Sequence, residues 1–543
     1  MASDDYRPAK PLPFELRQHC GIYFEEKLYS QALSLLLNIL TCGTVASSPA
    51  FVPSPPHLAI AATLLVHPST TTRAKTTEEQ AAATLALQLL RLTNTLVGPI
   101  SAKFDVAFTF THFNSSRHGG RRRAEDGGMS SAVRDDEMAP LNLDLGQSGS
   151  LWFRAEDFWH AVGWAFNCSV LHPRRWERWQ LWLQFMCEVL EDDWNERLKQ
   201  LEDLGESSQP ATPSKRREQI LKQSLIFKYL TTGNMNYGRN RRILRAIFAD
   251  GSATSVSEFR EVFKNELKEL NREEDKLKKR EADVNIDEDQ YGDYMAPDEE
   301  ESDEAEISRT RPKRARRGTK QSETAARAAE NESYELPDNI YADGGVASLG
   351  GFQSLALRQR LLHLLSTVSQ QLPKAFMPLE ELYHLFVENI RHLPLPIFQA
   401  FVMPSALPNF SPAAQSSLCE ILLFRMLENS APESDEAYLS QKKLEECFLP
   451  YAANTASVVD NAKVSILLES LIRLLADDNM LRNTPELRQT VMEGILARNE
   501  KAQVEVRRSQ NSRRVEDIEW CWLIESGERL LFLIEDILPQ EQS

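Results

Sequence analysis

Residues 77–97, TEEQAAATLALQLLRLTNTLV, decide the fold class of this chain. Apolar residues recur along this stretch at steps of four, four, three and four, at Ala81, Leu85, Leu89, Leu92 and Leu96. This spacing places them on one face of a helix with 3.6 residues per turn. A capping box formed by Thr77 and Gln80 is expected at the start of this helix, and Gly98 with Pro99 is expected to end it.

Helical periodicity also dominates the neighbouring segments. Residues 28–42 and 57–66 predict two earlier helices, so the stretch from Leu28 to Thr72, which contains no charged residue, is interpreted as two buried helices and a loop. Its apolar runs are shorter than the roughly 18 residues that a membrane-spanning helix needs. These helices predict antiparallel pairs of the α-solenoid kind, although no fixed repeat period indicates a regular tetratricopeptide or HEAT array.

The predicted fold is all-α, with two helical, α-solenoid-like lobes joined by a disordered linker that is first acidic and then basic. Two stretches have too few apolar residues for a core and are predicted to be disordered. The predicted organisation is N-terminal helical pairs over 1–112, a disordered insertion over 113–150, a Trp-rich helical segment completing the first lobe over 151–282, the disordered linker over 283–346, and a C-terminal helical domain over 347–543.

Tryptophan is concentrated in one segment, since seven of the nine tryptophans fall between residues 152 and 194. Their helical spacing favours a core in which aromatic side chains hold two helices together. Arg174, Arg175 and Arg178 flank Trp176 and Trp179, which leaves open a stacking platform for single-stranded nucleic acid as an alternative.

Two further helices have distinctive patterns. Residues 256–281 predict a highly charged helix with a thin apolar seam that is mostly solvated. The predicted helix from Val458 to Leu475 has apolar residues on more than one side, so it is the first expected location of a partner-binding surface.

The charge of the chain is uneven. Its 62 Lys and Arg and 79 Asp and Glu give a net charge of −17, but eleven of the carboxylates lie within residues 287–306. The rest of the chain is therefore nearly neutral, which disfavours binding of duplex DNA over the whole surface. The seven cysteines are scattered, without C-x-x-C or zinc-ligand spacing, as is typical of the cytosol or nucleus.

Sequence signatures of catalysis are missing from this chain. It has no Walker A loop, no dinucleotide-binding glycine pattern, no G-x-S-x-G and no H-E-x-x-H. His160 and His363 lie within predicted helices and are interpreted as core or surface imidazoles. We therefore expect a protein that is not an enzyme, with no catalytic, cofactor-binding or metal-binding residues and no cofactor.

The sharpest short motif is a basic cluster in the predicted linker. Its charged members are Arg311, Lys313, Arg314, Arg316 and Arg317. A basic run of this length in a disordered segment predicts a nuclear import signal. The alternative is that the cluster only balances the adjacent acidic run.

A second short motif, Thr212-Pro213-Ser214-Lys215, fits the pattern of a proline-directed kinase site. Phosphorylation of Thr212 would add about −1.5 to −2 charge next to basic residues. Thr212 is therefore a candidate phosphorylation site.

The order of the segments resembles a known family, the fungal non-SMC element five subunits of the structural-maintenance-of-chromosomes (SMC) five/six complex. The resemblance is carried by the Ser354–Arg358 run before a leucine-rich helix, the helix pair around Phe158–Trp194, and the Tyr229–Asn234 stretch, Tyr-Leu-Thr-Thr-Gly-Asn. The N-terminal helices that end near Phe108–Phe110 follow a similar order. The family has no catalytic residues, so none is transferred to this chain.

The resemblance implies a role and a set of partners. It implies a tight heterodimer with non-SMC element six that docks on the SMC five/six ATPase core, restrains ATP turnover and helps DNA loading. It also implies recruitment to damaged chromosomes and SUMO modification by the ligase subunit of the complex. The expected location is the nucleus, on chromosomes, with only indirect contact with DNA and no contact with membranes.

Two alternatives to this role are carried forward. One is another nuclear helical scaffold, in chromatin or transcription, whose acidic tract binds basic partners such as histones. The other is direct binding of single-stranded nucleic acid through the segment rich in Trp and Arg.

Overall fold

The chain is described by a computed structural model that covers residues 6–43, 48–111, 141–205, 213–232, 238–268, 345–403, 410–432, 438–508 and 513–537. Nearly every element in these ranges is an α-helix, and helices lie on both sides of residues 269–344, so the predicted all-α fold is confirmed. The only strands among the described residues, β1 (Ala9–Pro11) and β2 (Ala50–Val52), form a short parallel pair.

In the described part of the chain up to residue 268, twelve α-helices form what we call the N-terminal helical group. They are α1 (Phe14–Glu25), α2 (Tyr29–Thr41), α3 (Pro55–Val66), α4 (Thr77–Val97), α5 (Phe104–Ala107), α6 (Leu151–Arg154), α7 (Phe158–Leu171), α8 (Pro173–Gly205), α9 (Pro213–Lys222), α10 (Leu225–Thr231), α11 (Arg239–Ile247) and α12 (Ala253–Glu258).

Eight α-helices of the ranges described from residue 345 onwards form the C-terminal helical group. They are α13 (Gly351–Gln371), α14 (Leu379–Ile390), α15 (Leu395–Val402), α16 (Pro412–Leu427), α17 (Gln441–Cys447), α18 (Val458–Asp477), α19 (Pro485–Arg508) and α20 (Arg513–Phe532). The last of these continues into a π-helical turn at Leu533–Ile537.

The start of α4 differs from the prediction by one residue. The Thr76 hydroxyl accepts a hydrogen bond from the Glu79 N–H at 3.2 Å, and the Glu79 carboxylate accepts one from the Thr76 N–H at 3.2 Å. This capping box replaces the predicted pair of Thr77 and Gln80 because a carboxylate is a stronger acceptor and is favoured at a helix N-terminus. The helix ends at Gly98, with φ at +83°, as predicted.

The uncharged stretch from Leu28 to Thr72 folds into two buried helices, as predicted. Both α2 and α3 pack against α4, and α3 is buried on all sides because apolar residues surround its axis. Among the helices of the described ranges, none is both long enough and apolar enough to span a membrane.

The insertion predicted over 113–150 ends earlier than expected. Residues 141–150 belong to the fold, and Leu143 and Leu145 are buried beside the 3₁₀ turn Asp144–Gly146. This turn packs on α3 and leads into α6. The burial of these two leucines holds a mostly polar stretch in the fold. A boundary that is based on amino-acid composition does not detect such isolated apolar residues. The remainder of the predicted insertion lies outside the described residues.

The segment rich in Trp is a core, as its helical spacing predicted. All of its tryptophans are at most 8% exposed, namely Trp152, Trp159, Trp164, Trp176, Trp179, Trp182 and Trp194. They lie on α6, α7 and α8, and their rings contact one another and nearby phenylalanines, as Trp179 and Trp182 do with centroids 5.4 Å apart. Aromatic side chains of this size supply much of the burial that holds α7 against α8.

The prediction of a charged helix over 256–281 is wrong for the part of this range that the structure describes. Helix α12 ends at Glu258, and residues 259–268 form non-helical turns. Phe259, Val262 and Phe263 are buried against α7 and α8, and Gly163 leaves the room that the Phe259 ring occupies. The spacing of these three side chains is also that of a helix face, so periodicity alone could not separate the two structures.

Candidate functional site

One buried arginine joins the two helical groups. Arg358 of α13 is fully buried and donates hydrogen bonds to the carbonyl oxygens of Ile247 at 2.5 Å, Ala249 at 2.8 Å and Leu349 at 3.4 Å. The first two carbonyls lie at the C-terminal end of α11, where a cation complements the helix dipole. Burial lowers the pKa of Arg358 to about 9, so the side chain remains charged at neutral pH.

The same junction brings α7 and α13 into close contact. The Ser354 hydroxyl donates a hydrogen bond to the Ser169 hydroxyl at 3.2 Å. Gly350, with φ at +80°, leaves no room for a side chain because a Cβ there would lie 2.1 Å from the Ser169 Oγ. Ser354 and Arg358 of α13 therefore both contribute to the contact between the two helical groups.

Two ion pairs add to this junction. Arg360 of α13 binds Glu191 of α8 through two hydrogen bonds of 2.5 and 2.6 Å, with both side chains partly exposed. Arg241 of α11 binds Glu388 of α14 at 2.9 Å, with both side chains largely exposed. Solvent screens such pairs, so they contribute less to stability than the buried Arg358.

Polar side chains of the segment rich in Trp bind a buried carboxylate. Glu266 accepts hydrogen bonds from Arg175 at 2.5 and 2.8 Å and from the Trp179 indole at 2.7 Å. Arg175 also donates to the Val66 carbonyl at 2.6 Å and to the Thr71 hydroxyl at 2.9 Å. This cluster holds residues 259–268 against α3 and α8.

The cluster of Glu266, Arg175 and Trp179 argues against the alternative in which this segment binds single-stranded nucleic acid. A stacking platform needs exposed aromatic faces, whereas Trp176 and Trp179 are buried and the Arg175 guanidinium is paired inside the protein. Of the three predicted arginines, only Arg174 is exposed and Arg178 is partly so. The structure therefore brings these residues together as a core and not as an open platform.

The helix predicted to bind a partner lies inside the C-terminal helical group. Helix α18 is surrounded by α15, α16, α19 and α20, and its apolar side chains from Val458 to Leu475 are buried within the group, except for the partly buried Val459. The prediction of a partner surface on this helix is therefore wrong. Its apolar residues face several directions because neighbouring helices cover it on several sides.

Buried charges fix α20 on this central helix and α19 on the segment that precedes it. Glu469 of α18 is fully buried and binds Arg529 of α20 at 2.9 Å and Arg473 at 3.0 Å. On α19, the buried Arg498 donates to the carbonyl oxygens of Leu449 and Tyr451, both at 3.1 Å. Burial also lowers the pKa of Arg498 to about 9. The α19–α20 hairpin is thus rigidly attached.

The outer side of the α19–α20 hairpin exposes large apolar side chains. Six of them are between 40% and 59% exposed, namely Met492, Leu496, Val504, Ile518, Ile524 and Phe532. The two helices run antiparallel, and Ile495 of α19 packs on Gly527 of α20, which has no side chain that would prevent this contact. In this alignment, Leu496 lies at nearly the same level along the helix axes as Ile524, and Val504 lies at the level of Ile518.

The exposed side of α20 alternates apolar and acidic residues. Among residues 518–532, the part of α20 whose side chains the structure describes, the exposed residues span an arc of about 120° at 100° per residue, namely Ile518, Cys521, Ile524, Glu525, Glu528 and Phe532. Glu493 and Glu500 are exposed on α19. A surface of this composition matches an apolar partner segment that carries Lys or Arg beside its apolar residues.

This hairpin surface, which we define by the six exposed apolar residues above, was missed in the sequence. The signal was available, because Met492 and Leu496 are four residues apart and share a helix face. Neighbouring Leu487 and Val491 define the buried face of the same helix. The hairpin surface could have been identified from a second row of apolar residues on a helix that already has a buried apolar face.

The predicted histidines have structural roles. The His160 ring accepts a hydrogen bond from the Glu156 N–H at Nδ1 and lies 3.1 Å from the Arg260 carbonyl at Nε2, which satisfies both nitrogens. His363 is partly buried against the Phe410 ring. Within the described ranges, no three His, Cys, Asp or Glu side chains are grouped so that they could hold a metal ion.

The remaining predicted site residues lie outside the described residues. They are the five basic residues of the import motif, Arg311, Lys313, Arg314, Arg316 and Arg317, and the candidate phosphorylation site Thr212. Both motifs stay predictions.

No protein-family model matches this chain, and no curated protein matches it significantly.

Proposed function

We propose that this protein is a non-catalytic helical adaptor, a regulatory subunit of the SMC five/six chromosome-maintenance complex. In this proposal it pairs with non-SMC element six, and the pair regulates the SMC ATPase, DNA loading and SUMO-linked DNA repair. It would act in the nucleus, with only indirect contact with DNA. The observation that carries the proposal is the hairpin surface, an exposed apolar and acidic face on a rigidly anchored pair of helices.

The internal charges support an adaptor. Arg358, Glu266 and Glu469 are all buried and all bind groups within the chain, so they serve to hold helices together. A rigid frame of this kind presents a surface with little loss of conformational entropy on binding. The hairpin surface is presented in this way, because Glu469 and Arg498 fix both of its helices to the rest of the C-terminal helical group.

The size and composition of the hairpin surface support a helical partner. Helix α20 has 20 residues and is therefore about 30 Å long. An amphipathic helix lying along such a face would bury its apolar residues against the six exposed ones and place Lys or Arg near Glu493, Glu500 and Glu528. We propose that the partner non-SMC element six supplies this basic amphipathic segment.

The proposal is tested by measuring the affinity of the full chain for purified non-SMC element six. Replacing Leu496 and Ile524 by Glu should weaken binding at least tenfold, because each change places a charge in an apolar contact. Phe14→Glu is the matched control, since Phe14 is 57% exposed on α1 and far from the hairpin in the chain. This control should bind like the unmodified chain.

Two negative results of this experiment have different meanings. If the unmodified chain binds neither non-SMC element six nor the SMC core, the proposed membership of the complex is wrong. If it binds and the double variant binds equally well, the complex is right and the hairpin surface is not the interface.

A further inference from the structure

A second surface of the C-terminal helical group is a small basic groove between α14 and α16. Its volume is about 310 Å³, and its lining residues are His384, Val387, Glu388, Arg391, His392 and Arg425. Arg391, His392 and Arg425 are exposed. Within the described residues, none of these three side chains makes a hydrogen bond or an ion pair, so their donors are available to a ligand.

The charge of this basic groove favours an anion. Arg391 and Arg425 supply two positive charges, and the single carboxylate of the lining, Glu388, is already neutralised by Arg241 at 2.9 and 3.3 Å. The Nδ1 of His384 is buried and has no hydrogen-bond partner. Because this nitrogen is shielded from solvent, the groups of the groove that a ligand can reach are those of the exposed Arg391, His392 and Arg425 side chains.

We propose that this basic groove binds a single phosphorylated serine or threonine side chain of a partner peptide. Two guanidinium groups suit a phosphate because each can form two parallel charge-assisted hydrogen bonds with its oxygens. The groove is small, which suits one phosphate group and the residues next to it. This recognition by an arginine pair is one of the recurring modes of phosphopeptide binding.

The surroundings disfavour nucleic acid as the ligand. Binding of a nucleic-acid strand needs Lys or Arg at several successive phosphates, but the basic groove is bordered by acidic residues. Glu380 lies 4.0 Å from His384 on the same helix, and Glu428 follows Arg425 at the end of α16. These carboxylates would repel the next phosphates of a strand, whereas a phosphopeptide carries only one.

This inference does not depend on the identity of the partner in the proposed complex. It is tested on the full chain with fluorescent degenerate peptide pools that carry phosphoserine or phosphothreonine, and with the same pools unphosphorylated. We expect saturable binding of the phosphorylated pools and at least tenfold weaker binding of the unphosphorylated pools. Inorganic phosphate should compete, but more weakly than the phosphopeptide, because it lacks the peptide contacts.

Three variants connect the binding to the basic groove. Arg391→Ala with Arg425→Ala should weaken phosphopeptide binding at least tenfold, whereas Lys442→Ala, an exposed change on α17, should leave it unchanged. Glu388→Gln should act in the opposite direction and strengthen binding severalfold, since it removes a negative charge and frees Arg241. All of these side chains are exposed, so thermal unfolding should be nearly unchanged.

Three results would overturn the proposal. The first is no saturable binding of the phosphorylated pools up to about 1 mM, a range in which even weak single-site ligands are detected. The second is phosphopeptide binding that the double arginine variant does not change. The third is a single-stranded oligonucleotide that binds more tightly than the phosphopeptides and loses this binding in the double arginine variant, because the basic groove would then be a nucleic-acid site.

Discussion

The guanidinium carbon of Arg358 lies 4.1 Å from the centroid of the Phe166 ring, so a cation of the C-terminal helical group covers an aromatic face of the N-terminal one. Both side chains are buried, which strengthens an attraction that solvent would weaken at the surface. The same guanidinium caps the end of α11. One side chain thus connects α7, α11 and α13, and the two groups of helices share a continuous core.

Replacing Arg358 by Met should therefore destabilise the protein by about 3 kcal/mol. The new side chain fills similar space but leaves the carbonyl oxygens of Ile247 and Ala249 buried without their donor, which is the costly part of the change. Arg360→Met is the matched control on the same helix and should cost about 1 kcal/mol or less. Urea unfolding followed by tryptophan fluorescence measures both. Equal stability of the two variants would contradict the importance of the Arg358 junction.

Removing the buried partner of Arg175 should have a comparable effect. Glu266→Ala leaves a guanidinium buried without its counterion, and losses of about 3–5 kcal/mol are typical of such changes. Glu258→Ala, which breaks a partly exposed pair with Arg245, should cost less than about 1 kcal/mol. If limited proteolysis cuts residues 259–268 no faster in the Glu266 variant than in the unmodified chain, the cluster does not hold this segment.

Some parts of this structure follow from the local pattern of apolar residues. Other parts depend on contacts between residues that are distant in the chain, and the sequence does not identify these contacts. The helical conformation of α4 and its glycine stop are local, so they were predictable. Its buried face was predicted wrongly, because Ala81 is exposed and Leu85, Leu92 and Leu96 are only partly buried, whereas the core side of the helix consists of Ala82, Ala83, Ala86, Leu89, Leu90, Thr93, Asn94 and Val97. The turn at Phe259 and Phe263 has the apolar spacing of a helix, and its conformation depends on distant residues, namely Gly163, which leaves room for the Phe259 ring, and Arg175, which binds Glu266. Likewise, the apolar faces of α18 gave no sign that four other helices would cover them.

The charged groups of the candidate sites were less predictable than the helices. The partners Arg175 and Glu266 lie 91 positions apart in the chain, and no periodicity relates them. The basic groove combines residues of α14 and α16, which become neighbours only through packing. The exposed stripe of the α19–α20 hairpin was visible in the sequence, but the same kind of stripe on α18 is buried.

The contribution of two buried histidines to the stability of the protein should be lost in mild acid. Burial lowers the pKa of His57 to about 4, helped by the nearby charge of Arg17, and burial likewise lowers the pKa of His67 to about 4. Protonation of these rings favours the unfolded chain, where the pKa of histidine is about 6.5. Their contribution is therefore complete above pH 6.5 and is lost progressively as the pH falls towards 4.

For His57 alone, the loss should be about 1.4 kcal/mol for each pH unit in this window. Urea unfolding at several pH values between 7.5 and 5 measures the slope. His57→Gln should flatten the profile because glutamine does not titrate. A profile that is the same in this variant and in the unmodified chain would show that His57 is not the responsible group.

The basic cluster of the linker predicts the location of the protein in the cell. Replacing Arg311, Lys313, Arg314, Arg316 and Arg317 by Ala in a fluorescent fusion should lower the ratio of nuclear to cytoplasmic signal several-fold. A matched control replaces acidic residues of 298–304 by Ala, which changes the charge of the linker without touching the cluster. If the fusion stays nuclear after the basic residues are removed, the cluster is not the import signal.

Deleting residues 283–320 distinguishes the proposed adaptor from a chromatin scaffold that acts through its acidic tract. The deletion removes the acidic run but leaves the Arg358 junction and the hairpin surface, which lie on described helices at both sides of it. The proposed pairing with non-SMC element six should therefore keep its affinity, within about twofold, in a pulldown or calorimetric titration. Binding of purified histones, a basic ligand that an acidic tract attracts, is measured in parallel. A protein that loses histone binding on deletion and never binds non-SMC element six would be such a scaffold, and the adaptor proposal would be wrong.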